Sequence, residues 1–157
     1  MAAVTGLLKS MGVTLRHFFQ KKVTLRYPHQ PMELPPRVRW RHKLLRHENG
    51  LERCIGCSLC AAACPSRCIR VVPAENTELE RHSPGERYAK IYEINMLRCI
   101  FCGLCEEACP VNAVVLREDF ELSDYAPENF IYTKEMLTVP LSEALREAEA
   151  VRTRNSA

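Results

Sequence analysis

The sequence predicts an α+β fold in which a small duplicated core is flanked by an N-terminal amphipathic helix, an extended Pro/Arg strap and a C-terminal tail. Three observations lead there. Arg53–Val71 (RCIGCSLCAAACPSRCIRV) returns 45 residues later as Arg98–Leu116 (RCIFCGLCEEACPVNAVVL), with nine of nineteen aligned positions identical. Internal similarity of that degree marks a repeated structural unit. Nine cysteines stand in 157 residues, and each copy carries four of them at the same spacing. The net charge of +3 is unevenly spread: residues 1–53 hold 11 Lys+Arg against 3 acids, and residues 54–157 hold 11 against 16. A basic arm therefore leads into an acidic body and suits an anionic partner surface.

Composition narrows the classes further. Hydrophobic content of 46% is that of a globular chain rather than a disordered one. No continuous apolar run reaches the ~18 residues that a membrane-spanning helix needs. The start, MAAVTGLLKS, lacks the basic and then continuously apolar pattern of a secretory leader, so a reducing compartment is expected. There, an odd number of cysteines reads as metal ligation rather than a disulfide framework.

Taken in order, residues 1–20 place Val4, Leu7, Leu8, Met11, Leu15, Phe18 and Phe19 on one helical stripe. Such a helix docks on a core or partner, or lies in a membrane interface with its basic side chains at the headgroups. Residues 21–50 form the strap. Pro28, Pro31, Pro35 and Pro36 forbid helix, and Arg37, Arg39, Arg41, Lys43 and Arg46 make it basic, with Trp40 as a possible anchor. No nucleic-acid module accompanies the strap, so nucleic acid is not an expected partner.

Residues 51–117 form the core. Asn49-Gly50 marks a turn before it. Each copy reads as strand, cysteine loop, short helix, strand. The closing runs are Ile69–Val72 and 113–116, and a strand is expected at Tyr88–Ile94 before the second copy. Residues 73–87 are a polar insertion between the copies. Residues 118–157 form a C-terminal extension expected to pack on partner subunits. From about residue 141 it is rich in Ala, Glu and Arg, and reads as a solvated helix.

Cys54, Cys57, Cys60 and Cys64, followed by Pro65, have the spacing C-x2-C-x2-C-x3-C-P. Cys99, Cys102, Cys105 and Cys109, followed by Pro110, repeat it. This is the bacterial-ferredoxin-like run that holds [4Fe-4S] clusters. Three thiolates on a tight loop converge on one cubane, while the fourth, on the following helix, points to the other. One cluster is thus expected on Cys54, Cys57, Cys60 and Cys109. The other is expected on Cys99, Cys102, Cys105 and Cys64. Structural zinc sites use two paired knuckles and four ligands in all, which fits this pattern poorly. Cys68 aligns with Ala113 and reads as a buried free thiol. Arg53 and Arg98, beside the first ligand of each copy, are candidates to offset cluster charge. No nucleophile elbow, phosphate loop or dinucleotide fingerprint is present, so the chain is expected to pass electrons and to have no substrate-binding active site of its own.

The stretches NGLERCIGCSLCAAACP and SPGERYAKIYEINMLRCIFCGLCEEACP, with the N-terminal helix and the strap RHKLLRHENG, resemble the two-cluster ferredoxin-like subunit (subunit I) of proton-pumping NADH:quinone oxidoreductase, respiratory complex I. The likeness covers about residues 1–140. It implies two [4Fe-4S] clusters that relay single electrons from the large peripheral cluster subunit toward the terminal cluster at the quinone site. It also implies neighbours among the terminal-cluster, quinone-site and membrane-arm subunits. The N-terminal helix would lie at the bilayer surface, on the cytoplasmic side of the bacterial inner membrane, and the chain would bind neither NADH nor quinone itself. The competing readings are a ferredoxin-like subunit of a related membrane-bound hydrogenase complex, or a free ferredoxin.

Overall fold

A computed structural model describes residues 2–35 and 38–146 of the chain. It divides into two compact units, Met1–Leu34 and Pro35–Ala157. The division falls inside the 21–50 segment.

The first unit is led by α1 (Ala2–Phe18), a 17-residue helix. The stripe seen in the sequence lies along it, and every residue from Val4 to Phe19 is exposed within the chain. Ser10 and Thr14 return their hydroxyls to the carbonyls of Leu7 and Met11, both at 2.8 Å, and Arg16 and His17 stand in the last turn, where the helix dipole favours cations. Phe18 and Phe19 meet edge to face at 5.3 Å. A turn follows at 27–30, closed by the Gln30 amide on the Arg26 carbonyl at 2.8 Å. No helix among the described residues is long and apolar enough to cross a membrane.

The second unit mixes short helices with two small antiparallel sheets. Its elements are β1 (His42–Leu44), α2 (Leu59–Ala63), β2 (Ile69–Glu75), β3 (Arg87–Asn95), α3 (Leu104–Glu107), β4 (Val114–Leu116), a 3-10 turn (Pro127–Phe130), β5 (Ile131–Tyr132) and α4 (Lys134–Leu137). One sheet pairs β1 with β4, setting His42 opposite Leu116 and Leu44 opposite Val114. The other has the order β2-β3-β5, with Val71 opposite Tyr92 and Ile69 opposite Ile94. Pro73 carries no amide hydrogen for the ladder, and the register shifts between Val72 and Pro73. The residue is tolerated because β2 is an edge strand.

β2 and β3 run slightly beyond their expected limits, and β4 begins one residue later than expected, at Val114. Residues 73–75 of the polar insertion continue β2, which leaves 76–86 as the loop. Asn76 organises that loop: its Nδ2 donates to the Ser83 and Gly85 carbonyls at 3.2 and 2.7 Å, and its Oδ1 accepts from the His82 amide at 3.0 Å. Gly50 has φ +84° in the expected Asn-Gly turn, and its amide donates to His47 at 2.9 Å.

The core lies between the sheets and the two cysteine helices. Tyr92, Ile94, Val114 and Leu137 are almost fully enclosed, together with Cys60, Cys68 and Cys105. Each large apolar side chain buried in this way stabilises the fold by about 1.5–3 kcal/mol. The described part of the C-terminal extension packs on the chain's own body. Tyr132 and Leu137 enter that core, and Val139 and Ala144 form a second cluster with Leu45 and Val115. Lys134 fastens it: Nζ donates to the Ala89 carbonyl at 2.8 Å and lies 2.8 Å from Glu52. A helical turn opens after Pro140, and the tail expected beyond it lies outside the described residues from 147 onward.

Candidate metal centres

Each cysteine segment folds as a tight loop entering a one-turn helix. The backbone is left-handed at matching places, 45 residues apart: Gly56 (φ +64°) with Phe101 (+53°), Ser58 (+61°) with Gly103 (+83°), and Arg67 (+49°) with Asn112 (+47°). Side chains disfavour this conformation, so its recurrence at non-glycine residues reflects a demand of the loop. The loop turns amides toward sulfur. The Phe101 N–H donates to Cys99 Sγ at 3.4 Å, the Gly56 N–H serves Cys54 likewise, and the Ala113 N–H donates to Cys109 Sγ at 3.1 Å.

The third cysteine of each run, Cys60 or Cys105, sits on the short helix and is buried. The fourth differs from expectation. Cys64 ends α2 in an extended conformation (φ −74°, ψ 114°), and Cys109 lies just past α3 and its cap Ala108. The cause is the following proline, which disfavours the α conformation in the residue before it. The fourth sulfur is thereby turned away from its own loop.

Two cavities result. The first is lined by Cys54, Cys57, Cys60 and Cys109 among apolar neighbours such as Val71, Val111 and Val114. The second is lined by Cys64, Cys99, Cys102 and Cys105, with Ile69, Ile100 and Gly103. All eight motif cysteines thus face one cavity or the other, four to each. Among the described residues no three potential ligands converge on a point that one metal ion would fill. The thiols are spread round a space instead. Four soft donors, an apolar wall and inward N–H groups are the environment that an iron–sulfur cluster requires.

Electrostatics follow the same grouping. Burial pushes the Cys54 thiol up to about 11, with the Gly56 amide opposing and Cys60, Cys109 and Cys57 adding repulsion. Burial likewise raises Cys60 and Cys99, and takes Cys105 up to about 12 with help from Cys99. Thiols so placed ionise only when a cation supplies the missing charge, so metal uptake displaces protons. Cys64 goes the other way: burial raises it, but hydrogen bonds from Ser66 and Cys68 outweigh that.

Cys68 is buried as expected, but its place is in the wall of the second cavity, with Sγ 3.4 Å from Cys64 Sγ. Burial raises its thiol to about 12. Arg53 gives its Nε to the Arg46 carbonyl at 3.2 Å, and Arg98 is exposed. Three residues near the cavities escaped sequence reasoning. Arg39 of the strap donates to the Cys102 carbonyl and pairs with Glu107 at 3.0 Å. His42 and Tyr92, each 1% exposed, line the second and first cavities. Burial pushes the His42 imidazole down to about 4. None of the three belongs to a local motif. An alternation of polar and apolar residues around Tyr92 was the only signal available.

Residues 53–113 match the 4Fe-4S dicluster domain family. The chain is 57% identical over 149 residues to NADH-quinone oxidoreductase subunit 9 of Thermus thermophilus, a match covering 94% of this chain and 82% of that protein. NADH-quinone oxidoreductase subunit I of a second strain of that organism matches equally well. Among solved structures, a chain of the membrane-bound sulfane sulfur reductase, an archaeal respiratory membrane complex, is 30% identical with a TM-score of 0.50. That match covers 74% of this chain and 55% of the other.

Proposed function

The chain belongs to the subunit I family of NADH-quinone oxidoreductase, and we propose that it relays single electrons through its two cavities toward the terminal cluster at the quinone site. It is an electron-transfer subunit of that oxidoreductase and carries two [4Fe-4S] clusters. When bound, these supply one-electron redox chemistry.

The ligand sets we assign are Cys54, Cys57, Cys60 and Cys109 for one cluster, and Cys99, Cys102, Cys105 and Cys64 for the other. The observation that carries this is the lining of the two cavities, in which each fourth cysteine joins the other segment's three. The recurrent left-handed positions support a duplicated unit. The residues have divided tasks. The thiolates hold iron, the inward amides of Gly56 and Phe101 hydrogen-bond to sulfur, and Ile55, Val71, Val111 and Ile69 keep water from the walls.

Membership in a multisubunit respiratory complex makes other subunits its partners. We place the large peripheral cluster subunit, the terminal-cluster subunit, the quinone-site subunits and the membrane arm among them. The exposed stripe of α1, with Lys9 and Arg16 beside it, suits a bilayer surface on the cytoplasmic side of the bacterial inner membrane. The likeness to the sulfane sulfur reductase chain supports a second reading, a subunit of a related membrane complex. Its lower identity and coverage rank it below the first.

Electron paramagnetic resonance of the dithionite-reduced full-length chain tests the assignment. Two interacting tetranuclear signals are expected, with iron and acid-labile sulfide in equal amounts. A single signal, or zinc in place of iron, contradicts it.

A further inference from the structure

Val71 and Leu116 occupy equivalent positions in the two repeated segments. Their ladder partners are Tyr92 on β3 and His42 on β1. Strand pairing therefore brings one polar ring to the matching place in each cavity, a phenol in the first and an imidazole in the second. Each ring is 1% exposed. Each also reaches a cysteine sulfur of the same segment as its ladder partner: Tyr92 Oη lies 3.5 Å from Cys60 Sγ, and His42 Nε2 lies 3.9 Å from Cys99 Sγ.

The chemistry of the sulfur fixes the direction of these contacts. A metal-bound thiolate has no proton to give, so it can only accept. The phenol hydroxyl is a donor. The Nδ1 atom of His42 is buried without a hydrogen-bond partner, so the ring's single N–H proton finds an acceptor only at Nε2, on Cys99. Phe101, 5.9 Å away between centroids, packs against the imidazole and in turn meets Trp40 at 6.2 Å, which holds the ring toward the cavity. A donor on a cluster sulfur stabilises the more negative, reduced state and so raises the potential.

We propose that His42 and Tyr92 are paired positioning residues, each donating one hydrogen bond to a ligand sulfur and each setting the reduction potential of the cluster in its own cavity. This rests on the cluster assignment above and deepens it. Because the donors differ in kind and in distance, the two potentials are set separately.

The test is a redox titration of the full-length, cluster-loaded chain, followed by electron paramagnetic resonance. His42→Leu should lower the reduced-to-oxidised ratio of the cluster on Cys64, Cys99, Cys102 and Cys105 by about three- to tenfold at fixed potential, tenfold being about 59 mV for one electron. The other cluster should not move. His42→Gln, which keeps an N–H, should recover most of the shift, and Tyr92→Phe should give the converse pattern. No shift in either variant, or equal shifts of both clusters, overturns the proposal. The unsubstituted chain is the control for the assignment itself: if it lacks two tetranuclear signals, the cluster reading fails rather than the hydrogen bonds. If His42→Leu does not load, the unsubstituted chain with 15N-labelled imidazole rings decides. A weak nitrogen coupling at the second cluster is expected, and its absence overturns the proposal.

Discussion

In the first cavity the loop glycine is Gly56, and an added Cβ there would stand 2.8 Å from the Tyr88 carbonyl oxygen. At the matching place in the second cavity Phe101 adopts almost the same φ with a full side chain, packed on Trp40 and His42. Two residues on, the pattern inverts: Ser58 serves the first loop and Gly103 the second, where the Arg39 guanidinium lies 2.9 Å from the Cβ position. Both loops need the left-handed turn to aim amides at sulfur. Glycine, however, appears only where another part of the chain also presses against the loop. That neighbour is the backbone of β3 in one case and the strap in the other. The turn is common to both cavities, and what closes over each loop is not.

Iron removal has the largest expected effect and should erase the comparison altogether. Eight thiols line the core, and the rest of it is small, so complete chelation should unfold both cavities together. Native-like far-ultraviolet circular dichroism without iron would contradict this. Next come Cys64→Ala and Cys109→Ala. Each should remove about half the iron, and the resonance lost should be that of the opposite segment's three cysteines. Loss of the same segment's cluster would refute the crossed ligation.

Gly56→Ala should cost about 1–3 kcal/mol, because it meets backbone and adds left-handed strain. Gly103→Ala should cost about 1 kcal/mol, because the side chain of Arg39 can move aside. Thermal melts of the loaded chain would show whether that order holds. The smallest effect is expected for Ser58→Gly, which should raise stability by up to about 1 kcal/mol, since Ser58 bears a left-handed φ that glycine adopts freely. A lower melting temperature would mean that the Ser58 side chain has a task of its own.

The dicluster motif was legible because its ligands lie within eleven residues of one another in each copy, where spacing and the closing proline speak directly. The strands at 69–72, 88–94 and 113–116 were legible from alternation and β-branched content. His42 and Tyr92 were not, because their places depend on pairing β1 with β4 and β2 with β3, contacts that a local pattern does not encode. Arg39 looked like one more charge in a basic strap, yet it is tied to a carbonyl 63 residues away. Cys68 was recognisable as a buried thiol from its alignment with Ala113. Its approach to Cys64 follows from the chain reversal at Pro65 to Arg67, where the φ of +49° at Arg67 has no sequence signature.

The β1–β4 ladder joins residues 42–44 to residues 114–116 and so pairs the body's first strand with the strand that ends the second cysteine segment. During synthesis the first of these leaves the ribosome well before the second exists. Until then Cys54, Cys57 and Cys60 lack Cys109, and His42 has no strand to hold it over Cys99. With the ligand sets proposed above, neither cluster can be completed before the second cysteine segment has been synthesised.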